Sequence, residues 1–226
     1  MTTAAPAPII EPIFAIPFSV VPIAGARDLN PVLASLFSAR ATEEYRDPAA
    51  RRDPLCFRGR EDLFEWPHEA VGQLRREVLD GACTAVLAAS TYTDAEFDAL
   101  RLQARARFVI VRPDGCLPAA TVPMTSWYAV YCVAAPPSLP PVRPDSAALR
   151  LYAIRHGTMF MDAANWNLRA PYGGAHHLWR PVSGQMAVFP ASILHEVALN
   201  RTQSDLVLVL TRLRFAHAPQ PAQPSP

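Results

Sequence analysis

The spacing of apolar residues changes character part-way along the chain. Leu29, Val32, Leu33, Leu36 and Phe37 recur at helical intervals, with Asp28 as the capping residue and Pro31 in the first turn. Ala70, Val71, Leu74, Val78 and Leu79 repeat the pattern within 67–89, and Thr93–Asp94 opens a second helical stretch running to Arg105. Between them, 40–60 is charged and broken by proline, and it predicts a loop. From Arg107 the pattern becomes strand-like, with short apolar runs at 107–112, 127–134, 148–154, 178–181, 185–189, 195–199 and 206–215. Pro113-Asp114-Gly115, the prolines of 136–144, Gly173-Gly174 and Ser183-Gly184 punctuate these runs. Prolines at 12, 17 and 22 limit 13–21 to an edge strand or extended segment.

This order predicts an α+β, mainly β fold: a jelly roll with N-terminal helices packed on one outer face. The domain is expected to span 11–215, with a helical layer at about 28–106 and the β portion at about 107–215. A flexible lead-in, 1–10, and a disordered Pro-rich tail, 216–226, flank it.

Composition narrows the chemistry. With 226 residues, half of them hydrophobic, the chain has material for one core. A formal net charge of +1 leaves no electrostatic footprint for nucleic acid or an anionic membrane. Every basic residue is arginine, so Schiff-base and amine-nucleophile chemistry from a side chain is excluded. Cys56, Cys83, Cys116 and Cys132 are scattered, with neither zinc-ligand spacing nor a basic-apolar leader, as expected of reduced thiols in a cytoplasmic protein. No apolar run reaches the length of a membrane span.

The most specific stretch is 180–197. It reads Pro181-x-x-Gly184, an apolar strand, Phe189-Pro190 and His195-x-Val197. This layout resembles the late half of the double-stranded β-helix of 2-oxoglutarate/Fe(II)-dependent oxygenases. It is closest to a bacterial family with the motif Pro-x-x-Gly-x-x-x-x-Phe-Pro-x-x-x-x-His-x-Val. A looser resemblance extends over 10–215, including Phe64-Glu65-Trp66-Pro67 before a helix and the strand Trp127-Tyr128-Ala129-Val130-Tyr131-Cys132-Val133. The resemblance implies that His195 occupies the position of the last of three metal ligands.

The remaining positions of that pattern are eroded. Counting back from Pro123 places Ala120-Thr121-Val122 where a His-x-His or His-x-Asp pair belongs. Of an Asp-Pro-Arg after the next strand only Arg155 survives, in Ala153-Ile154-Arg155. The strand that carries the co-substrate arginine begins Asp205-Leu206 here, with Arg201 and Arg212 nearby as register alternatives. The resemblance therefore implies an oxygenase fold without the usual iron and 2-oxoglutarate site, which would return only in a different motif register.

His195, Arg155 and Tyr131 are the catalytic candidates, and Trp127, Tyr152, His156 and Phe160 the substrate-binding ones. Each has a plainer alternative: a histidine ending a buried strand, core aromatics, a surface arginine paired with an acid. Glu196, as a strand neighbour of His195, is expected to face away into solvent. Residues 155–176, with Met159, Phe160 and Met161, would cover the barrel mouth as a lid or only a sheet edge. The resulting expectation is a metal-independent enzyme acting by proton transfer on a small organic or carrier-bound substrate, with no cofactor. The alternatives are a non-catalytic binding or partner-stabilising protein, and an oxygenase whose iron site has been rebuilt from His195, Asp162 and one of His156, His176 or His177. Neither nucleic acid nor membrane is an expected partner, and a homodimer is compatible with the sequence.

Overall fold

The structure is a computed structural model that describes residues 15–136, 145–153, 168 and 176–217. Two antiparallel sheets face each other. The larger is ordered β1 (Ser19–Pro22), β8 (Gln185–Pro190), β5 (Trp127–Ala134), β10 (Leu206–His217), β3 (Leu100–Val111) and β2 (Cys56–Arg58). The smaller is ordered β4 (Leu117–Ala120), β9 (His195–Val197), β6 (Leu149–Tyr152) and β7 (His176–Trp179). Helices α1 (Ala26–Ala39) and α2 (Glu69–Ala88) cover the outer face of the larger sheet, and the short α3 (Asp94–Asp98) leads into β3.

Period-2 alternation gives the larger sheet two apolar faces, and each has its own core. Toward the helices, Phe108, Tyr131, Met186 and Val209 pack on Leu33, Phe37, Leu74 and Val78. Toward the smaller sheet, Val109, Val130, Cys132, Phe189, Leu206 and Leu208 meet Leu149, Leu151, Trp179 and Val197. Each large side chain removed from water contributes about 1.5–3 kcal/mol, so β5 and β10, buried on both faces, anchor the fold. Gly184, at φ 86°, makes the turn into β8; a Cβ there would meet the Ala26 methyl at 2.8 Å. Its N–H donates to the Cys132 carbonyl at 2.9 Å, tying the turn to β5.

The architecture agrees with the sequence expectation, and several boundaries differ. β3 begins at Leu100 rather than Arg107, so the helix expected through Arg105 ends at Asp98. Leu100, Leu102, Ala104 and Ala106 alternate with Arg101, Gln103, Arg105 and Arg107, and pairing with the whole length of β10 rewards that period. Residues 56–58, expected in a loop, pair with β3, and 117–120 form an unanticipated strand beside β9. Gly25, not Asp28, is the α1 N-cap, and Val32 lies off the buried stripe. The expected tail loses Ala216 and His217 to β10, whose pairing runs to its last residue. Among the described residues no helix is long and apolar enough to cross a membrane.

Candidate functional site

β9 is only three residues long, and its register decides what surrounds His195. Ala120 and Leu151 flank it directly on the neighbouring strands, and His177 follows Leu151. Directly opposed residues share a sheet face, so Ala120, His195, Leu151 and His177 form one row toward the larger sheet. Across the gap, the His195 ring lies 5.1 Å from those of Tyr128 and Phe189, and Phe18 meets His177 at 4.8 Å.

The His195 ring is set for one chemical role. Nδ1 lies 2.8 Å from the Ile193 carbonyl, which can only accept, so Nδ1 carries the proton and Nε2 the lone pair. Burial lowers the imidazole pKa below its ordinary value, and the carbonyl contact opposes this only partly. At neutral pH His195 is therefore an uncharged base or ligand with Nε2 available. Burial pushes the Tyr128 phenol up to about 12, so Tyr128 stays protonated beside it.

Charged groups gather at the rim of the larger sheet on the same face. Arg107 pairs with Asp47 at 2.6 Å and with Glu61. Arg212 donates to both Glu61 oxygens at 3.1 and 3.2 Å, to Thr125 Oγ1 at 3.0 Å and to the Pro123 carbonyl at 2.6 Å. Burial raises the Glu61 pKa, but the two guanidinium groups outweigh it and hold the carboxyl below its usual range. Arg212 thus fastens the 121–126 loop to the barrel.

No family model matches the chain, and no curated protein sequence matches it. Solved structures do. A Pseudomonas putida prolyl-4-hydroxylase superposes with a TM-score of 0.56 at 18% identity, covering 88% of this chain and 92% of that one. The non-heme alpha-ketoglutarate-dependent carbocyclase SnoK from nogalamycin biosynthesis gives 0.59 at 10% identity, covering 88% and 79%. HygX from Streptomyces hygroscopicus, solved with nickel and 2-oxoglutarate bound, gives 0.53 at 14% identity, covering 88% and 82%. The chain has the fold of the 2-oxoglutarate/Fe(II) oxygenases.

The described residues of this oxygenase fold do not fit the iron centre. Such a centre takes two imidazoles and a carboxylate on one face. Here the residue beside His195 is Ala120, whose methyl cannot ligate, and Val122 packs against the apolar inter-sheet core. His177 shares the row but stands two strands away, roughly 10 Å at the usual strand spacing. Among the described residues no group of three His, Cys, Asp or Glu side chains could hold a metal.

The oxygenase fold also separates the sequence-predicted site residues. Tyr131 stands on the opposite face of β5 from His195, fully buried under α1, where its hydroxyl donates to Asn30 Oδ1 at 2.5 Å. Trp127, four residues earlier on that face, packs against the helix-side core. Tyr152 lies on the outer face of the smaller sheet, hydrogen-bonded with Arg150. Glu196 does face away from His195, but it pairs with Arg150 at 2.5 Å instead of simply meeting solvent. Of the register alternatives, Arg201 pairs with Asp114 and Arg212 with Glu61. Arg155, His156, Phe160 and Asp162, like the rest of the expected lid apart from Leu168 and His176, the latter opening β7, lie outside the described residues.

Phe189 and Phe18 are the neighbours that sequence reasoning did not assign to the site. Phe189 was recoverable from strand parity: Tyr128 shares a face with Val130, and Phe189 is the register partner of Tyr128 on β8. Phe18, just ahead of β1, carried no local signal.

Proposed function

We propose that this oxygenase-fold chain acts without iron on a small organic or carrier-bound molecule, with His195 as general base. The observation that carries the proposal is the held imidazole: Nδ1 on the Ile193 carbonyl, a pKa lowered by burial, and Ala120 in the facing position. Nε2 would take a proton from a C–H or O–H of the substrate, while Nδ1–H stays on the carbonyl and stabilises the imidazolium that forms. Burial disfavours that imidazolium, so the proton returns readily to another atom of the substrate. The net change is redox-neutral, as in an isomerisation, dehydration or ring closure, and needs neither oxidant nor co-substrate. Arg155, His156 and Phe160 are the proposed substrate contacts.

Anaerobic calorimetric titration with Fe(II), with and without 2-oxoglutarate, followed by elemental analysis, tests the first half of this reading. Stoichiometric iron binding that depends on 2-oxoglutarate would refute it. A ligand found by thermal-shift screening tests the second half: His195→Gln must keep binding it and stop converting it. A second reading, a non-catalytic binding protein, is favoured by the inter-sheet core, where Val109, Val130, Cys132, Phe189, Leu206 and Leu208 fill the inner face of the larger sheet. A ligand bound but unchanged by the wild-type chain, or a stable complex with an active oxygenase, supports that one.

A further inference from the structure

β3 and β10 outrun the rest of the larger sheet. They pair as far as His217 with Leu100, whereas β5 starts at Trp127, opposite Leu213. The last rows, Arg214 with Gln103 and Ala216 with Arg101, therefore form a two-stranded ribbon beyond the barrel rim. On the face that continues the inner side of the barrel, this ribbon presents Arg101, Gln103, Arg105, Arg212 and Arg214. A depression of about 220 Å³ lies there, lined by Gln103, Arg105, Arg212 and Arg214 with Thr125 and Glu61.

The charges in this groove do not balance. Glu61 is the carboxylate in its lining, and Arg107 and Arg212 already occupy it. Arg105 and Arg214 are exposed, and among the described residues neither has a hydrogen-bond or ion-pair partner. Arg105 also stands directly across from Arg212, and Glu61 pairs with Arg212 but not with Arg105, whose own charge stays uncompensated.

We infer that this groove is a binding subsite for the phosphate group of a small phosphate ester. Two unpaired guanidinium groups and the Gln103 amide offer more donors than a carboxylate can accept. A phosphate monoester accepts on three oxygens and carries nearly two charges. The groove adjoins the row Arg212–Tyr128–Phe189, so an ester held here extends toward the rim where His195 lies. The subsite does not depend on His195 being a base, because binding alone is measured.

The test is calorimetry of the full chain with inorganic phosphate and glycerol 3-phosphate at constant ionic strength in chloride. Wild type and the control Arg75→Gln, on the exposed face of α2, bind the ester with one-to-one stoichiometry. The double variant Arg105→Gln/Arg214→Gln binds it at least about 10-fold more weakly, losing two charge-assisted contacts. Its thermal midpoint is recorded to confirm folding. No binding by wild type, or unchanged affinity in the folded double variant, overturns the inference. So does a short single-stranded oligonucleotide that binds more tightly than the ester and is lost in the same variant, which would make the groove a nucleic-acid contact.

Discussion

Tyr131→Phe separates a structural tyrosine from a catalytic one. The Tyr131 side chain is fully buried, and its hydroxyl donates to Asn30 Oδ1 at 2.5 Å. Asn30, itself 6% exposed, donates through Nδ2 to Ser183 Oγ at 2.9 Å, and Ser183 donates to the Val133 carbonyl at 2.8 Å. This chain of bonds joins α1, β5 and the turn before β8. Removing the hydroxyl leaves Asn30 Oδ1 buried without a donor, and an unmet buried acceptor costs about 1–3 kcal/mol. For a domain of this size, 1 kcal/mol corresponds to roughly 2–4 °C, so a midpoint loss of about 4–8 °C follows from a cost of ~2 kcal/mol. Urea titration and calorimetry measure it. Asn30→Leu and the double variant complete a cycle whose coupling is expected at about 1 kcal/mol, because deleting both partners leaves neither the Tyr131 hydroxyl nor Asn30 Oδ1 unmet, and the loss of the Asn30–Ser183 bond is common to both Asn30 variants. A Tyr131→Phe variant as stable as wild type, or a coupling of zero, would refute the reasoning. A stable variant that lost turnover of an identified substrate would return Tyr131 to the active site.

His195→Gln removes one component of the pH dependence of stability. The folded pKa lies below the ordinary 6.5, so the unfolded chain binds more protons between those two values. Wild-type stability therefore falls as pH drops through 6.5 and levels off below the folded pKa, relative to the variant; urea midpoints at pH 7.5 and 5 show it, and parallel curves would contradict the burial argument. Glu61→Gln leaves Arg107 with Asp47 and Arg212 with Thr125 and the Pro123 carbonyl, so the expected loss is about 1–2 kcal/mol, below that of a fully buried pair. Because the Asp47 and Glu61 pKa values are both lowered, their stabilisation is present above pH of about 4.5 and is lost as pH falls through the folded values; an acid titration of Glu61→Gln should be flatter there. Ala120→His/Val122→Asp places donors beside His195, and it should gain Ni(II) binding in calorimetry over wild type; no gain would contradict the pairing of Ala120 with His195.

The sequence was most informative where local pattern and burial agree. β5 was legible to the residue, since Trp127–Ala134 is an unbroken apolar run between turns, and α2 within two residues, since its stripe has one period throughout. β3 was split because its first half is exposed on one face: alternating arginines there also satisfy a helical spacing, and only pairing with β10 selects the strand. β4 and β2 are short, and their partners lie far along the chain.

The candidate site divides along the same line. The sequence alone determined the fold class, the placing of His195 after the Phe189-Pro190 pair, which ends β8 with the turn following at 191–193, and the absence of ligating side chains at 120–122, because each is written in residue identity at fixed spacing. Only the tertiary structure decided that Tyr128, and not Tyr131, shares His195's side of β5, and that Arg212 is spent on Glu61. It also decided that Ala120 stands beside His195. Strand parity fixes which residues share a face between bulges but says nothing of which face meets helices and which meets the second sheet. That choice is settled by which face finds apolar partners when the layers close.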